Sequence, residues 1–345
     1  MAKRIVFCAD GTWQGPLNNT NVYRLYKALA VGSDQIAFYD DGVGADAIGL
    51  TRLLDGAFGN GLLQKVQDSY TKIAHVYEPG DQIYLFGFSR GAYTARSLAG
   101  MIAACGLPTG SFTNDCVTQA FQAYRTPSQR AAILASLAAC GLEQCTIQMV
   151  GVWDTVGSLG IPAIFGEVAY NNYGFLDTSL HPNVKNAFQC VALDEKRMQF
   201  PATLWTGTPS IGQIVEQVWF SGCHGDVGGG TPQAGAVDAG TRLCDITLGW
   251  MLGKAQQSGL IILDSADGLL ATLSADAALD AIRETWCPAD GPPHLRPVAG
   301  NANVANSVAV RLKYALTYVP GSLTVTDNAL ADGYSIVDVV GEQAF

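Results

Sequence analysis

The six residues Gly87-Phe88-Ser89-Arg90-Gly91-Ala92 constrain this chain more than any others. They follow the turn Pro79-Gly80 and an apolar run at 83–86, and they precede the small and apolar residues of 92–102. That order describes a buried strand that breaks into a tight turn and enters a packed helix, with a serine at the tip of the turn. In G-x-S-x-G the flanking glycines let the backbone turn sharply and leave the serine hydroxyl exposed. A strand that is apolar throughout belongs in a parallel sheet covered on both faces.

The remaining chain alternates in the same way. Residues 5–9, 35–39, 146–153, 184–193 and 213–220 read as largely apolar strands, and 21–30, 61–77 and 245–258 read as helices. The second of these helices carries the apolar stripe Leu62, Val66, Ile73 and Val76. Alternating strands and helices predict an α/β fold of the α/β-hydrolase type: a mostly parallel central sheet with helices on both faces. Residues 105–142 are rich in Ala, Thr, Ser and Gln, with helices expected at 115–124 and 128–139. They are read as a helical cap insertion. From 260 to 345 the pattern weakens to a helix near 275–286, a Pro/Gly loop at 287–300 and a helix at 305–315. No internal repeat or low-complexity linker interrupts the chain, so a single domain over 1–345 is expected.

Composition excludes several classes. Hydrophobic residues make up 48% and charged residues 14%, which supplies a core and argues against disorder. A net charge of −10 gives no basic surface for nucleic acid or anionic lipid. Apolar stretches are broken well short of about 18 residues, so no membrane span is expected. The start Met1-Ala2-Lys3-Arg4 runs directly into a strand, without the pattern of a secretory signal. Nine cysteines are scattered with no C-x-x-C pair and read as reduced, buried thiols. The expected location is cytoplasmic, with export by a signal-less route left open. Asp10, Asp41 and Asp226 lack metal-ligand spacing, and no Gly-rich run matches a phosphate cradle. Neither metal nor cofactor is expected, and oligomeric state is left open.

In open α/β sheets functional groups collect at the carboxyl ends of the strands. Those ends carry Asp10, Asp41, Ser89, Asp154, Asp194 and His224. A serine becomes nucleophilic when an imidazole takes its proton and a carboxylate fixes that imidazole. The chain order serine, acid, histidine is satisfied. Of the four histidines, His224 alone follows a strand and lies in a Gly-rich loop. The acid is Asp154 or Asp194: Asp154 has apolar surroundings, while Glu195, Lys196 and Arg197 suggest an ion-pair role beside Asp194. Asp226 could orient the histidine loop. Oxyanion donors are expected from the amide of Arg90 and from the loop Gly11-Thr12-Trp13. Trp13 and the apolar residues Ile161, Phe165 and Tyr170 are the expected substrate contacts, with the insertion and the loop 159–173 covering an acyl pocket.

Five blocks carry a resemblance. They are Phe7-Cys8-Ala9-Asp10-Gly11-Thr12-Trp13, the elbow through Arg96, Val152-Trp153-Asp154-Thr155-Val156-Gly157, Ala192-Leu193-Asp194-Glu195-Lys196-Arg197, and Trp219 through Gly230. Over about residues 4–255 the chain resembles the family of α/β-hydrolase domains that includes the type VI secretion phospholipase effectors. The resemblance implies a triad of Ser89, Asp154 and His224, and so prefers Asp154 as the acid. It implies a serine esterase or lipase-like enzyme, with phospholipid, polymer or small ester as candidate substrates. The competing reading is a catalytically silent binding scaffold, against which the intact serine, acid and histidine argue.

Overall fold

The computed structural model describes residues 2–11, 14–42, 57–109, 113–156, 179–230, 241–266 and 275–340. In chain order its elements are β1 (Arg4–Ala9), α1 (Asn21–Ala28), β2 (Gln35–Asp40), α2 (Ala57–Ala74), β3 (Gln82–Phe88) and α3 (Arg90–Cys105). The short β4 (Leu107–Pro108), α4 (Asn114–Arg125), α5 (Arg130–Ser136) and β5 (Leu142–Glu143) follow. Next come β6 (Ile147–Trp153), β7 (Val184–Ala192), β8 (Ile214–Phe220), α6 (His224–Gly228) and α7 (Leu243–Gln257). The chain ends with β9 (Asn303–Ala305), α8 (Asn306–Tyr314), β10 (Val325–Thr326), β11 (Ala329–Leu330) and β12 (Ser335–Val337).

Eight strands form one sheet in the order β12-β9-β8-β7-β6-β3-β1-β2. Every pairing described in it is parallel. The α/β-hydrolase-like architecture read from the sequence is therefore present. Alternation along the strands feeds two cores: in β1, Val6 and Cys8 join one and Ile5 and Phe7 join the other. The first core takes Val22 and Leu25 of α1, Ile246 and Met251 of α7, and Val308 and Leu312 of α8. The second takes Val66 and Tyr70 of α2, Leu98 and Ile102 of α3, and Val117 and Phe121 of α4. Each such side chain, fully buried, contributes about 1.5–3 kcal/mol.

Two expectations change. The cysteines are not all thiols, because Cys116 of α4 is disulfide-bonded to Cys140, closing the helical insertion on itself. Seven others are free, and of these only Cys287 is exposed. The helix expected near 275–286 shrinks to a single 3₁₀ stretch, Ala275–Leu279. Beyond it the Asp280 carboxylate accepts the amide of Ala281, and the Arg283 amide is drawn away to Asp226.

The insertion has a defined place. It leaves at the far end of α3, about 24 Å of helix from Ser89, and returns just before β6. Tyr70 Oη donates to Gly106 O, and Cys105 Sγ approaches Ala120 O at 3.3 Å. Both junctions thus lie at the amino ends of the central strands, opposite Ser89, so the insertion is rooted away from the serine and not over it as a cap on the acyl pocket was expected to be.

Candidate active site

Ser89 stands between β3 and α3 with φ 58° and ψ −122°. Asp154, immediately after β6, also has a positive φ, 40°. The other described non-glycine residues with positive φ, Asn19, Asp327 and Asn328, are exposed turn positions. Among the described non-glycine residues, only Ser89 and Asp154 hold this conformation while buried. Such strain costs on the order of 1–3 kcal/mol per residue and clusters at functional sites.

The elbow is held by close packing. A Cβ on Gly87 would fall 2.4 Å from Gly91 O, and one on Gly91 would fall 2.2 Å from Ala9 O. Neither distance is possible, so β3, α3 and β1 meet here only with glycine at both positions. The Ser89 amide donates to Trp153 O at 3.0 Å, and its carbonyl accepts from Tyr93 N at 3.2 Å. Its hydroxyl makes no cap hydrogen bond to α3.

Asp154 and His224 meet directly. His224 Nδ1 lies 2.5 Å from Asp154 Oδ2, although 70 residues separate them. His224 opens the short helix α6 rather than sitting in an open loop, and its ring is flanked by Phe88 at 4.5 Å and Phe200 at 5.1 Å. None of the described hydrogen bonds joins Ser89 Oγ to His224; contacts of that kind are often long before substrate is bound.

Asp154 is fully buried, and four groups donate to its oxygens: His224, Ala192 N at 2.9 Å, and the two terminal nitrogens of Arg296 at 2.6 and 2.9 Å. Burial pushes its proton affinity up, but the Arg296 cation and the imidazole outweigh it and hold the carboxyl well below the usual range.

The other acids do different work. Asp194 accepts from Gly222 N at 2.6 Å and from Tyr318 Oη, which tethers the turn leading to His224. Burial raises its carboxyl to about 6, against the pull of those donors. Glu195 pairs with Arg197 at 2.9 Å and accepts the His224 amide at 3.2 Å. Lys196 pairs instead with Glu284. Asp226 accepts from Cys223 N at 3.0 Å and pairs with Arg283 at 2.8 Å, bracing α6.

On the oxyanion side, Arg90 is the first residue of α3, where backbone amides lack helical partners. A Cβ on Gly11 would lie 3.3 Å from Ser89 Cβ, so the Asp10-Gly11 loop does reach the serine. The Gly11 amide, however, donates to Asp10 Oδ1 at 2.8 Å and is not free for an oxyanion. Asp10 itself is buried and also accepts from Thr20 and Tyr39, each at 2.7 Å. Thr12, Trp13, Ile161, Phe165 and Tyr170 lie outside the described residues. No cluster of metal ligands occurs among the described residues, and no described helix is long and apolar enough to cross a membrane.

Sequence reasoning missed Arg296, which lies in an irregular Pro/Gly segment with no periodicity to mark it. It also missed the buried cluster of Asp10, Thr20 and Tyr39.

The yeast Saccharomyces cerevisiae protein YEL023C, uncharacterized, is 32% identical over 240 residues, covering 61% of this chain and 34% of its own length. An uncharacterized Pseudomonas aeruginosa protein of solved structure aligns with TM-score 0.48 and 17% identity, over 80% of this chain and 50% of that one. The Tle1 effector, solved bound to the VgrG spike of the type 6 secretion system, aligns with TM-score 0.37 and 20% identity, over 68% and 52%. The chain therefore spans about a third of the yeast protein and about half of each solved chain. The family described as T6SS, Phospholipase effector Tle1-like, catalytic domain matches residues 3–254, a span that holds the elbow, the Asp154 strand and the His224 turn. The chain belongs to that family.

Proposed function

We propose that the chain is a serine hydrolase of carboxylic esters, lipase-like and directed at lipid esters including phospholipids, with Ser89, His224 and Asp154 as its triad. The observation that carries this reading is the His224–Asp154 hydrogen bond of 2.5 Å beside a strained elbow serine. Asp154 holds the proton on Nδ1, which leaves Nε2 to accept one. His224 takes the Ser89 proton as Oγ attacks the ester carbonyl, and the charge on the carbonyl oxygen is met by the amide of Arg90 at the start of α3. The imidazolium then protonates the departing alcohol. Water, activated by the same imidazole, releases the acid from the acyl-enzyme.

Family membership supports the lipid class, as the family is described by its phospholipase effectors. Together with the Cys116–Cys140 disulfide it also supports action in an oxidising compartment after export. The test is turnover of nitrophenyl esters, lysophospholipid and phospholipid by wild type and S89A. Wild type should hydrolyse at least one lipid ester, and S89A should lose several powers of ten. A wild type inert toward every ester would favour the binding scaffold instead.

A further inference from the structure

Arg296 lies beyond the matched residues 3–254, in an irregular stretch between α7 and β9, yet it is almost completely buried against Asp154. Its guanidinium forks onto both carboxylate oxygens, which is the pairing a planar guanidinium favours. The same nitrogens donate to Ala192 O and Phe200 O, each at 2.7 Å. One side chain therefore joins the acid, the end of β7 and the loop whose Phe200 ring lies against His224.

We infer that Arg296 is a positioning residue of the triad, supplied by the C-terminal segment, which locks the acid in place and tempers its pull on His224. The inference rests on the triad assigned above. When the imidazole takes the serine proton, Asp154 must stabilise the new cation. With Arg296 already paired to it, the carboxylate attracts that cation less strongly, so the imidazolium gives up its proton more readily to the alcohol.

Other charges surround the ring among the described residues. Glu195 with Arg197 lies at its backbone amide, and Asp226 with Arg283 lies in its own turn. Cys190 of β7 lies near Asp154, and the thiol of Cys223, the residue before α6, meets Asp194 O. Glu195 is answered by Arg197, and Asp226 and Asp280 share Arg283. Arg296 is the described cation that bonds the acid itself.

The experiment is the pH dependence of kcat/KM for a nitrophenyl ester in the full chain, comparing wild type, R296Q and R296K. R296Q keeps a donor but removes the charge, and it should lose about tenfold or more in kcat, as expected for a hydrogen bond to a charged group. Its acidic limb should move up by about one pH unit, since the carboxylate then acts on the imidazole alone. R296K keeps the charge and should leave the limb in place. A profile for R296Q lowered equally at every pH, with the limb unmoved, would overturn the inference. If R296Q does not fold, R296K decides. Loss of kcat with the melting temperature retained supports the role, and loss of melting temperature with kcat retained refutes it. Fluorophosphonate labelling of Ser89 in wild type separates the two levels: without it the hydrolase reading itself fails.

Discussion

The carboxyl ends of the neighbouring strands β6 and β7 each deliver an aspartate to the same end of the sheet, and the two have opposite chemistry. Asp154 is met by a guanidinium and an imidazole, which keep it ionised despite complete burial. Asp194 is met by an amide and a phenol, and burial lifts it to about 6. What answers a carboxylate, more than how deeply it sits, decides whether it can serve a catalytic imidazole. Asp194 fixes the backbone that presents His224; Asp154 touches the ring.

The largest effect should separate the pair in turnover. D154N should lower kcat by about 10³–10⁴, as an amide cannot stabilise the imidazolium or hold the right tautomer. It should also lower the melting temperature, because Arg296 is left buried without its carboxylate. D194N, measured alongside on folded protein, should keep turnover near wild type. Reversed turnover losses would transfer the catalytic role to Asp194.

A smaller effect lies in stability against pH, where the two acids have opposite signs. Asp194 binds its proton more tightly folded than unfolded, so its contribution falls as pH rises between about 4 and 6, by up to about 3 kcal/mol. Melting curves should show D194N gaining on wild type as pH rises through that window. Asp154 binds its proton more weakly when folded. Its share of stability is complete above about pH 4 and is lost as pH falls below that value. A D194N variant whose difference from wild type is flat from pH 4 to 7 would break the assignment.

The smallest effect is expected from Y318F. It removes one donor to Asp194 and should cost about 1 kcal/mol of stability with turnover unchanged. A marked loss of kcat would tie Asp194 to the chemistry after all.

Much of this was legible before any coordinates. The central strands were, because continuous apolar runs of seven or so residues between turn signals suit a doubly covered parallel sheet. Ser89, Asp154 and His224 stood out as candidates too, since each follows such a strand, but position alone left Asp194 beside Asp154 as the acid. The partners of the acids were not legible. Arg283, Arg296 and Tyr318 come from a segment of turns and 3₁₀ helix, whose pairings span 57, 142 and 124 residues and leave no local pattern. The three-residue strands β9 and β12 are also too short for alternation to show. Nor did nine scattered cysteines indicate which two would pair.

The central claim, that Ser89 is a nucleophile driven by His224, is tested most directly by mapping fluorophosphonate labelling by mass spectrometry in wild type, S89A and H224A. Wild type should carry a single label on the Ser89 peptide, S89A none on that peptide, and H224A should be labelled more slowly by several powers of ten. An unlabelled wild type, or a label that persists elsewhere with unchanged rate in S89A, would contradict it.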